Sequence, residues 1–71
     1  MKLNIYSKDT KHTLDILKGV FINSDVELVK DYNNGLADYS VNNPRIDDAV
    51  YPLESLQELF YYFKPHEVRV Y

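Results

Sequence analysis

The most regular run of apolar and polar positions lies between Pro52 and about Lys64, and it predicts a helix. Pro52 suits the first helical position, because the N–H that proline lacks would have no partner there, and Pro65 ends the helix. At about 100° per residue, the large apolar side chains fall within one arc of about 120°, the width of a stripe that faces a core. These residues are Leu53, Leu56, Leu59, Phe60 and Phe63.

Two aromatic residues of the same run fall outside this stripe. Tyr61 and Tyr62 point sideways and outward at helical spacing, in the company of Glu54 and Glu58. We therefore expect the stripe to be core, and we predict Tyr61, Tyr62 and Glu58 as contact residues for a partner.

Period-two alternation predicts a strand near each end of the sequence. Residues 2–6 and 66–71 both alternate between apolar and polar side chains, as strands with one buried face do. The inward positions are Leu3, Ile5, Val68 and Val70. We expect the two strands to lie in one sheet.

A hairpin is predicted around Asn34-Gly35, the dipeptide typical of a two-residue type I′ loop. This loop pairs Tyr32 with Ala37, Lys30 with Tyr39, and Leu28 with Val41. The side chains that then share one face are Val26, Leu28, Tyr32, Ala37, Tyr39 and Val41. A short helix from Asp25 to Gly35 is the alternative, because Ser24-x-x-Glu27 matches a capping box. We favour the hairpin, since its turn and its apolar pattern agree.

The segment from Thr10 to Ile22 fits two structures. A helix would bury Leu14, Leu17 and Phe21, whereas a strand would alternate through Leu14, Ile16, Val20 and Ile22. Gly19 weakens both interpretations. The helix gives the order βαββαβ, a ferredoxin-like plan, and the strand gives a β-meander followed by a helix and a final strand. We favour the helix.

Either choice predicts a single α+β domain over residues 1–71, with an antiparallel sheet of about four strands. The C-terminal helix packs on one face of this sheet and the other face stays open. The alternation assigns to the open face Asn4, Tyr6, Glu27, Asp31, Asp38, Ser40, Glu67, Arg69 and Tyr71. Asp31 lies directly opposite Asp38 in the predicted register, and like charges so placed are destabilising. This predicts an acidic recognition surface, unless the face is merely solvated or the register is wrong by one residue.

Composition changes the picture in three ways. With 71 residues, 45% of them hydrophobic and 27% charged, the chain is a globular domain with a small core. It has no cysteine, which excludes disulfides and thiolate metal sites and fits a reducing compartment. No window approaches the roughly 18 apolar residues of a membrane span, so we expect a soluble, cytoplasmic protein.

The net charge of −3 disfavours sequence-independent binding to phosphate backbones. Tyr6, Tyr71 and Arg69 resemble the stacking residues that a four-stranded sheet presents to single-stranded RNA, but the aromatic-rich motif of RNA-recognition domains is absent and the neighbours are acidic. Nucleic acid is therefore disfavoured as a partner.

Catalysis is disfavoured as well. His12-x-x-Asp15 is a weak metal pattern, the serines lie in no nucleophile motif, and no glycine-rich phosphate loop is present. We expect no enzyme, no cofactor and no metal.

These exclusions favour a non-enzymatic protein-binding module that acts as a regulator, inhibitor or adaptor of a larger cytoplasmic protein. A gene in a phage or a mobile element would suit so small a protein. The long segment between residues 42 and 51 offers Arg45, Asp47 and Asp48 as further contacts. The alternatives are a homodimer or other homo-oligomeric structural protein, and a single-stranded nucleic-acid-binding module that uses the open face.

Overall fold

The computed structural model describes residues 1–42 and 53–71, which form four strands, two helices and a 3₁₀ turn. In chain order these are β1 (Lys2–Tyr6), α1 (Thr10–Val20), β2 (Asp25–Asp31), β3 (Leu36–Asn42), α2 (Leu53–Leu59), the 3₁₀ turn (Pro65–Glu67) and β4 (Val68–Val70). The strands form one antiparallel sheet in the order β2-β3-β1-β4. The predicted α+β class is confirmed.

The segment after β1 is a helix, so the β-meander alternative is wrong. The Asp9 side chain caps α1 by accepting a hydrogen bond of 3.0 Å from the His12 N–H, which satisfies a donor that the first helical turn leaves free. At the other end, the Phe21 N–H donates to the Leu17 carbonyl. Gly19 lies inside the last turn rather than at the cap.

Both helices cover the same face of the sheet. The core joins inward side chains of the strands to residues of α1, α2 and the segments that follow them. Its members are Leu3, Ile5, Leu17, Val20, Phe21, Ala37, Tyr39, Val41, Leu59, Phe63 and Val68. None of the described helices lies on the opposite face, which we call the open face. Within residues 1–42 and 53–71 there is also no helix long and apolar enough to cross a membrane.

The hairpin between β2 and β3 exists, but its loop differs from the predicted one. The Tyr32 N–H donates to the Leu36 carbonyl at 3.1 Å, so three residues close the loop. Two of them have positive φ, 60° at Asn33 and 96° at Gly35. Asparagine and glycine are the residues that adopt such φ values at least cost.

A β-bulge at Val29 also makes the predicted register wrong. Leu28 lies opposite Tyr39, and the next pair along the ladder is Lys30 with Asp38, so Val29 has no partner in β3. An extra residue in one strand changes which later side chains face the core. The predicted pairing of Lys30 with Tyr39 does not occur.

The three-residue loop, which pairs Tyr32 with Leu36, moves Asp31 and Tyr32 to the faces opposite to those predicted, and the bulge then returns Leu28 to the predicted face. Asp31 lies beside buried Ala37, and its carboxylate accepts a hydrogen bond of 3.3 Å from the Thr10 hydroxyl at the start of α1. Asp31 is therefore not on the open face and does not oppose Asp38. Tyr32 is on the open face, where its hydroxyl reaches Asp38.

The helix α2 is shorter than predicted. It ends at Leu59, and the amides of residues 60–62 donate to carbonyls three residues earlier, as in a 3₁₀ helix. Each residue of a 3₁₀ helix turns the chain by about 120° rather than 100°. Leu59 and Phe63 are buried as predicted, whereas Phe60 is 40% exposed, so its assignment to the buried stripe was wrong.

Glu67 was likewise assigned to the wrong place. It lies in the 3₁₀ turn before β4, where its carboxylate accepts a hydrogen bond of 2.9 Å from the Lys64 N–H. This local contact ties Glu67 to the turn. The open face therefore loses two of its predicted carboxylates, those of Asp31 and Glu67.

Candidate functional site

Exposed aromatic rings lie beside charged groups on several surfaces of the described chain, and two of these surfaces are candidate sites. The first, which we call the tyrosine surface, is a shallow depression along α2 and the turn after it. It is formed by Glu54, Gln57, Glu58, Tyr61 and Tyr62. Tyr61 is 87% exposed and Tyr62 is 56% exposed, which confirms that both point outward. Their role in binding stays a prediction.

The turn holds these tyrosines away from the core because both of its flanks are anchored. Leu59 before the turn and Phe63 after it are buried, and the Phe63 N–H donates to the Leu59 carbonyl at 3.2 Å. Burying two residues four apart fixes the intervening chain on the surface. Three consecutive aromatic residues, Phe60 to Tyr62, are consequently accessible to solvent.

The remaining predicted contacts of this kind, Arg45, Asp47 and Asp48, lie outside the described residues. Their part in binding stays a prediction.

The second surface, which we call the sheet cup, is a concavity of about 300 Å³ on the open face. The side chains that define it are Lys2, Asn4, Val29, Tyr32, Asp38 and Tyr71. They come from β1, β2, β3 and the end of the chain after β4. The bulged residue Val29 and the displaced Tyr32 enter the cup only because the register differs from the predicted one.

Asp38 is held at the centre of the cup by hydrogen bonds to both carboxylate oxygens. Oδ1 accepts from Asn4 Nδ2 at 2.8 Å and Oδ2 accepts from the Tyr32 hydroxyl at 2.6 Å. The Tyr32 bond, the Asn4 bond and the nearby Lys30 and Lys2 charges lower the pKa of Asp38. The carboxylate is therefore ionised and oriented at neutral pH.

Tyr32 links this carboxylate to two neighbours. Its pKa is raised, first by the hydrogen bond to Asp38 and in smaller part by Tyr71, so its hydroxyl remains a donor. The Lys30 ammonium lies 4.7 Å from the centroid of the Tyr32 ring, within the range of a cation–π contact. Tyr32 thus connects Lys30, Asp38 and Tyr71 on one face.

The open face is not the predominantly acidic surface that was predicted, because its positive and negative side chains are balanced. With Asp31 and Glu67 displaced, the register leaves on this face the carboxylates of Asp25, Glu27 and Asp38. The cations that the register places on the same face are Lys2, Lys30 and Arg69. Arg69 is on the face because it pairs with Asn4.

The other residues predicted for the open face lie at its margins. Tyr71 is 71% exposed and donates its N–H to the Lys2 carbonyl at 2.9 Å. Tyr6 packs over the hairpin loop, so closely that a Cβ on Gly35 would lie 2.5 Å from Tyr6 Cε2.

Sequence reasoning missed Val29, Tyr32 and Lys30 as members of the open face. Glycine at the third position of Asn33-Asn34-Gly35 is typical of three-residue hairpin loops, and this signal could have placed Tyr32 opposite Leu36. We find no comparable signal for the bulge at Val29.

Metal-ligating side chains do not cluster in this part of the chain. Among residues 1–42 and 53–71, no group of three or more histidine and carboxylate side chains could hold a metal ion. That the protein is not an enzyme stays a prediction.

No protein-family model, curated protein or solved structure matches the chain. The assignment of the sheet to the ferredoxin-like fold therefore stays a prediction, and function has to be argued from the two surfaces themselves.

Proposed function

We propose that the protein is a non-enzymatic protein-binding module whose tyrosine surface docks on a basic patch of a larger partner. The observation that carries the proposal is the exposure of Tyr61 and Tyr62 on a turn whose flanks are buried. An exposed aromatic ring contributes little to the stability of the fold. At an interface, by contrast, tyrosine supplies a large contact area for a small entropic cost.

The charge around the tyrosines argues for a cationic partner surface. Glu54 and Glu58 border the same depression as the two rings. Arginine pairs with carboxylates and also stacks on aromatic rings. A partner patch that contains arginine could therefore contact both the glutamates and the tyrosines of this surface. The net charge of −3 speeds the approach of such a partner at low salt.

The features of the chain favour this module over a homo-oligomer. Two copies of the tyrosine surface would bring Glu54 and Glu58 of each copy together, and like charges repel. The edge strand β2 carries the bulge at Val29, and bulges hinder the pairing of edge strands between molecules. We place the module in the cytoplasm, because a chain without cysteine needs no oxidising compartment.

The test uses a Tyr61→Ser/Tyr62→Ser double variant and an Ile22→Ser control. Ile22 is 78% exposed and belongs to neither surface, so its replacement by serine removes exposed apolar area away from the tyrosines. Each tagged protein is used to capture binders from the source cells, which are identified by mass spectrometry. A captured protein is then purified and its direct binding is measured.

We expect a protein with a basic surface that binds the wild type and the Ile22→Ser variant and is lost with the double variant. Circular dichroism checks that all three chains are equally folded. The same binders on the folded double variant would overturn the tyrosine surface, and sedimentation of the wild type as a stable dimer would overturn the monomeric module.

A further inference from the structure

The sheet cup presents a carboxylate with unused acceptor capacity. An ionised carboxylate has about four lone-pair positions, and the described contacts of Asp38 use one on each oxygen. Because Asn4 and Tyr32 fix the carboxylate, a ligand that offers two adjacent N–H donors meets a preoriented pair of acceptors. Such preorganisation lowers the entropic cost of binding.

The walls of the cup favour a flat ligand. Tyr32 and Tyr71 both line the concavity, and they are close enough to interact electrostatically. Val29 adds an apolar surface beside them. Aromatic side chains on an open sheet are the usual stacking platforms for nucleobases, and a volume of about 300 Å³ suits a small ligand or a single base.

The surrounding cations argue against a purely cationic ligand. Lys2 and Lys30 lie near enough to Asp38 to lower its pKa, and Arg69 is on the same face. An arginine or lysine side chain would approach Asp38 against the positive charges of Lys2 and Lys30. A ligand that has N–H donors on a flat ring and also carries a negative phosphate satisfies the carboxylate and the cations together.

Guanine nucleotides have this combination of groups. The guanine base carries N1–H and N2–H donors side by side, whereas adenine has an acceptor beside its amino group. We infer that the sheet cup binds the guanine base of a nucleotide, free or in single-stranded nucleic acid, through paired N–H donors to Asp38, stacking on Tyr32 and Tyr71, and phosphate contacts to Lys2 or Lys30.

This site is formed by residues other than those of the tyrosine surface and does not rest on the proposed protein partner. The expectation that nucleic acid is disfavoured rested on the net charge of −3, on the absent aromatic-rich motif and on acidic neighbours, and Asp31 and Glu67 were two of those neighbours. The structure moves both of these carboxylates off the face and places Lys2 and Lys30 near Asp38, so that positive and negative side chains are balanced there.

The test is calorimetric titration of the wild-type protein at low salt with guanosine monophosphate and, as the matched ligand, adenosine monophosphate. We expect at least tenfold tighter binding of the guanine nucleotide. Titration with octauridylate carrying one central guanosine, or one central adenosine, distinguishes the two sources. A site for free nucleotide gives similar affinities for the mononucleotide and the oligonucleotide, and a strand-binding site gives a tighter, strongly salt-dependent oligonucleotide complex.

Two variants test the assigned contacts. Asp38→Asn should lose the preference for guanine, because an amide offers one acceptor and one donor, while Asp15→Asn makes the same charge change on α1 and should keep it. Tyr71→Ala removes an exposed ring and should weaken binding about 5- to 100-fold through lost stacking. Nuclear magnetic resonance spectra confirm the fold of each variant.

Equal affinity for the guanine and adenine ligands would overturn the proposal, and so would an unchanged preference in folded Asp38→Asn. Tighter binding of N-acetylarginine amide than of guanosine monophosphate would also overturn it, by showing that the carboxylate selects a guanidinium.

Discussion

The two glycines of the chain should respond in opposite ways to the same Gly→Ala substitution. Gly35 has a φ of 96° in the hairpin loop, and its added Cβ would lie 2.5 Å from Tyr6 Cε2. Gly19 lies inside α1, where an added Cβ meets nothing within 4 Å. The two variants therefore compare an alanine that strains the backbone at position 35 with an alanine that fits the helix at position 19.

The magnitudes follow from these positions. A non-glycine residue with left-handed backbone costs about 1–2 kcal/mol, and displacing the Tyr6 ring adds to this, so Gly35→Ala should lose about 1–3 kcal/mol of unfolding free energy. Gly19→Ala should gain about 0.5–1 kcal/mol, because alanine loses less backbone entropy in a helix. Each kcal/mol corresponds to about 4–8 °C in Tm for a domain of this size.

Urea denaturation followed by circular dichroism at the helical band measures both changes. Gly35→Asn separates the two costs, since asparagine tolerates positive φ but retains the Cβ that meets Tyr6. Its stability should lie between those of wild type and Gly35→Ala. A neutral Gly35→Ala variant, or a destabilising Gly19→Ala variant, would refute the reasoning about the loop and the helix.

Three further predictions concern the carboxylate network and the core. Tyr32→Phe should raise the pKa of Asp38, because the hydrogen bond from Tyr32 is the largest cause of the lowered pKa, and carboxyl resonance titration measures the change. In the wild type, the stability that comes from the lowered Asp38 pKa is present above the ordinary Asp pKa. It is lost as the pH falls through the lowered pKa of Asp38. Tyr39→Phe should change the unfolding free energy by no more than about 1 kcal/mol, because the buried Tyr39 hydroxyl interacts with Thr13 but makes no well-formed hydrogen bond within the described residues, and a larger loss in urea denaturation would contradict this. Leu59→Ala should lower the unfolding free energy by about 2–5 kcal/mol, because Leu59 is fully buried, and Phe60→Ala should lower it clearly less, because Phe60 is 40% exposed. A larger loss for Phe60→Ala than for Leu59→Ala in urea denaturation would contradict the assigned burial.

Patterns that depend on local chemistry were predictable from the sequence. The alternation of Leu3 with Ile5 placed β1, and Leu59 and Phe63 were correctly assigned to the core. The segment that fitted two structures is the helix α1, whose first turn is capped by the Asp9 side chain just before it. In each of these cases a few neighbouring residues decide the local structure.

The register of the hairpin was only partly predictable, because the Asn33-Asn34-Gly35 loop has a local signal and the bulge at Val29 has none. The three-residue loop places Lys30 opposite Asp38, which replaces a like-charge pair by an opposite-charge pair. It also brings Asp31 to the Thr10 hydroxyl of α1. The repulsion implied by the two-residue loop was itself a sign that the predicted register was wrong.

The exposure of Phe60 has a similar origin. The helical stripe assumed that α2 continues beyond Leu59, whereas the chain tightens into 3₁₀-type bonds there. Helical periodicity holds only within the bounds of a helix, and those bounds are the least certain part of an assignment. Tyr61 and Tyr62 are exposed whether the chain after Leu59 is an α-helix or has 3₁₀-type bonds, so the tyrosine surface does not depend on where α2 ends.

The most direct test of the central claim is the affinity of the captured partner for the Tyr61→Ser/Tyr62→Ser variant, measured by calorimetry beside wild type. Interface hot spots contribute about 2 kcal/mol or more, so the account predicts at least about a 30-fold loss of affinity, with the Ile22→Ser control unchanged. Equal affinity of the folded double variant and wild type would contradict the claim that these tyrosines form the binding surface.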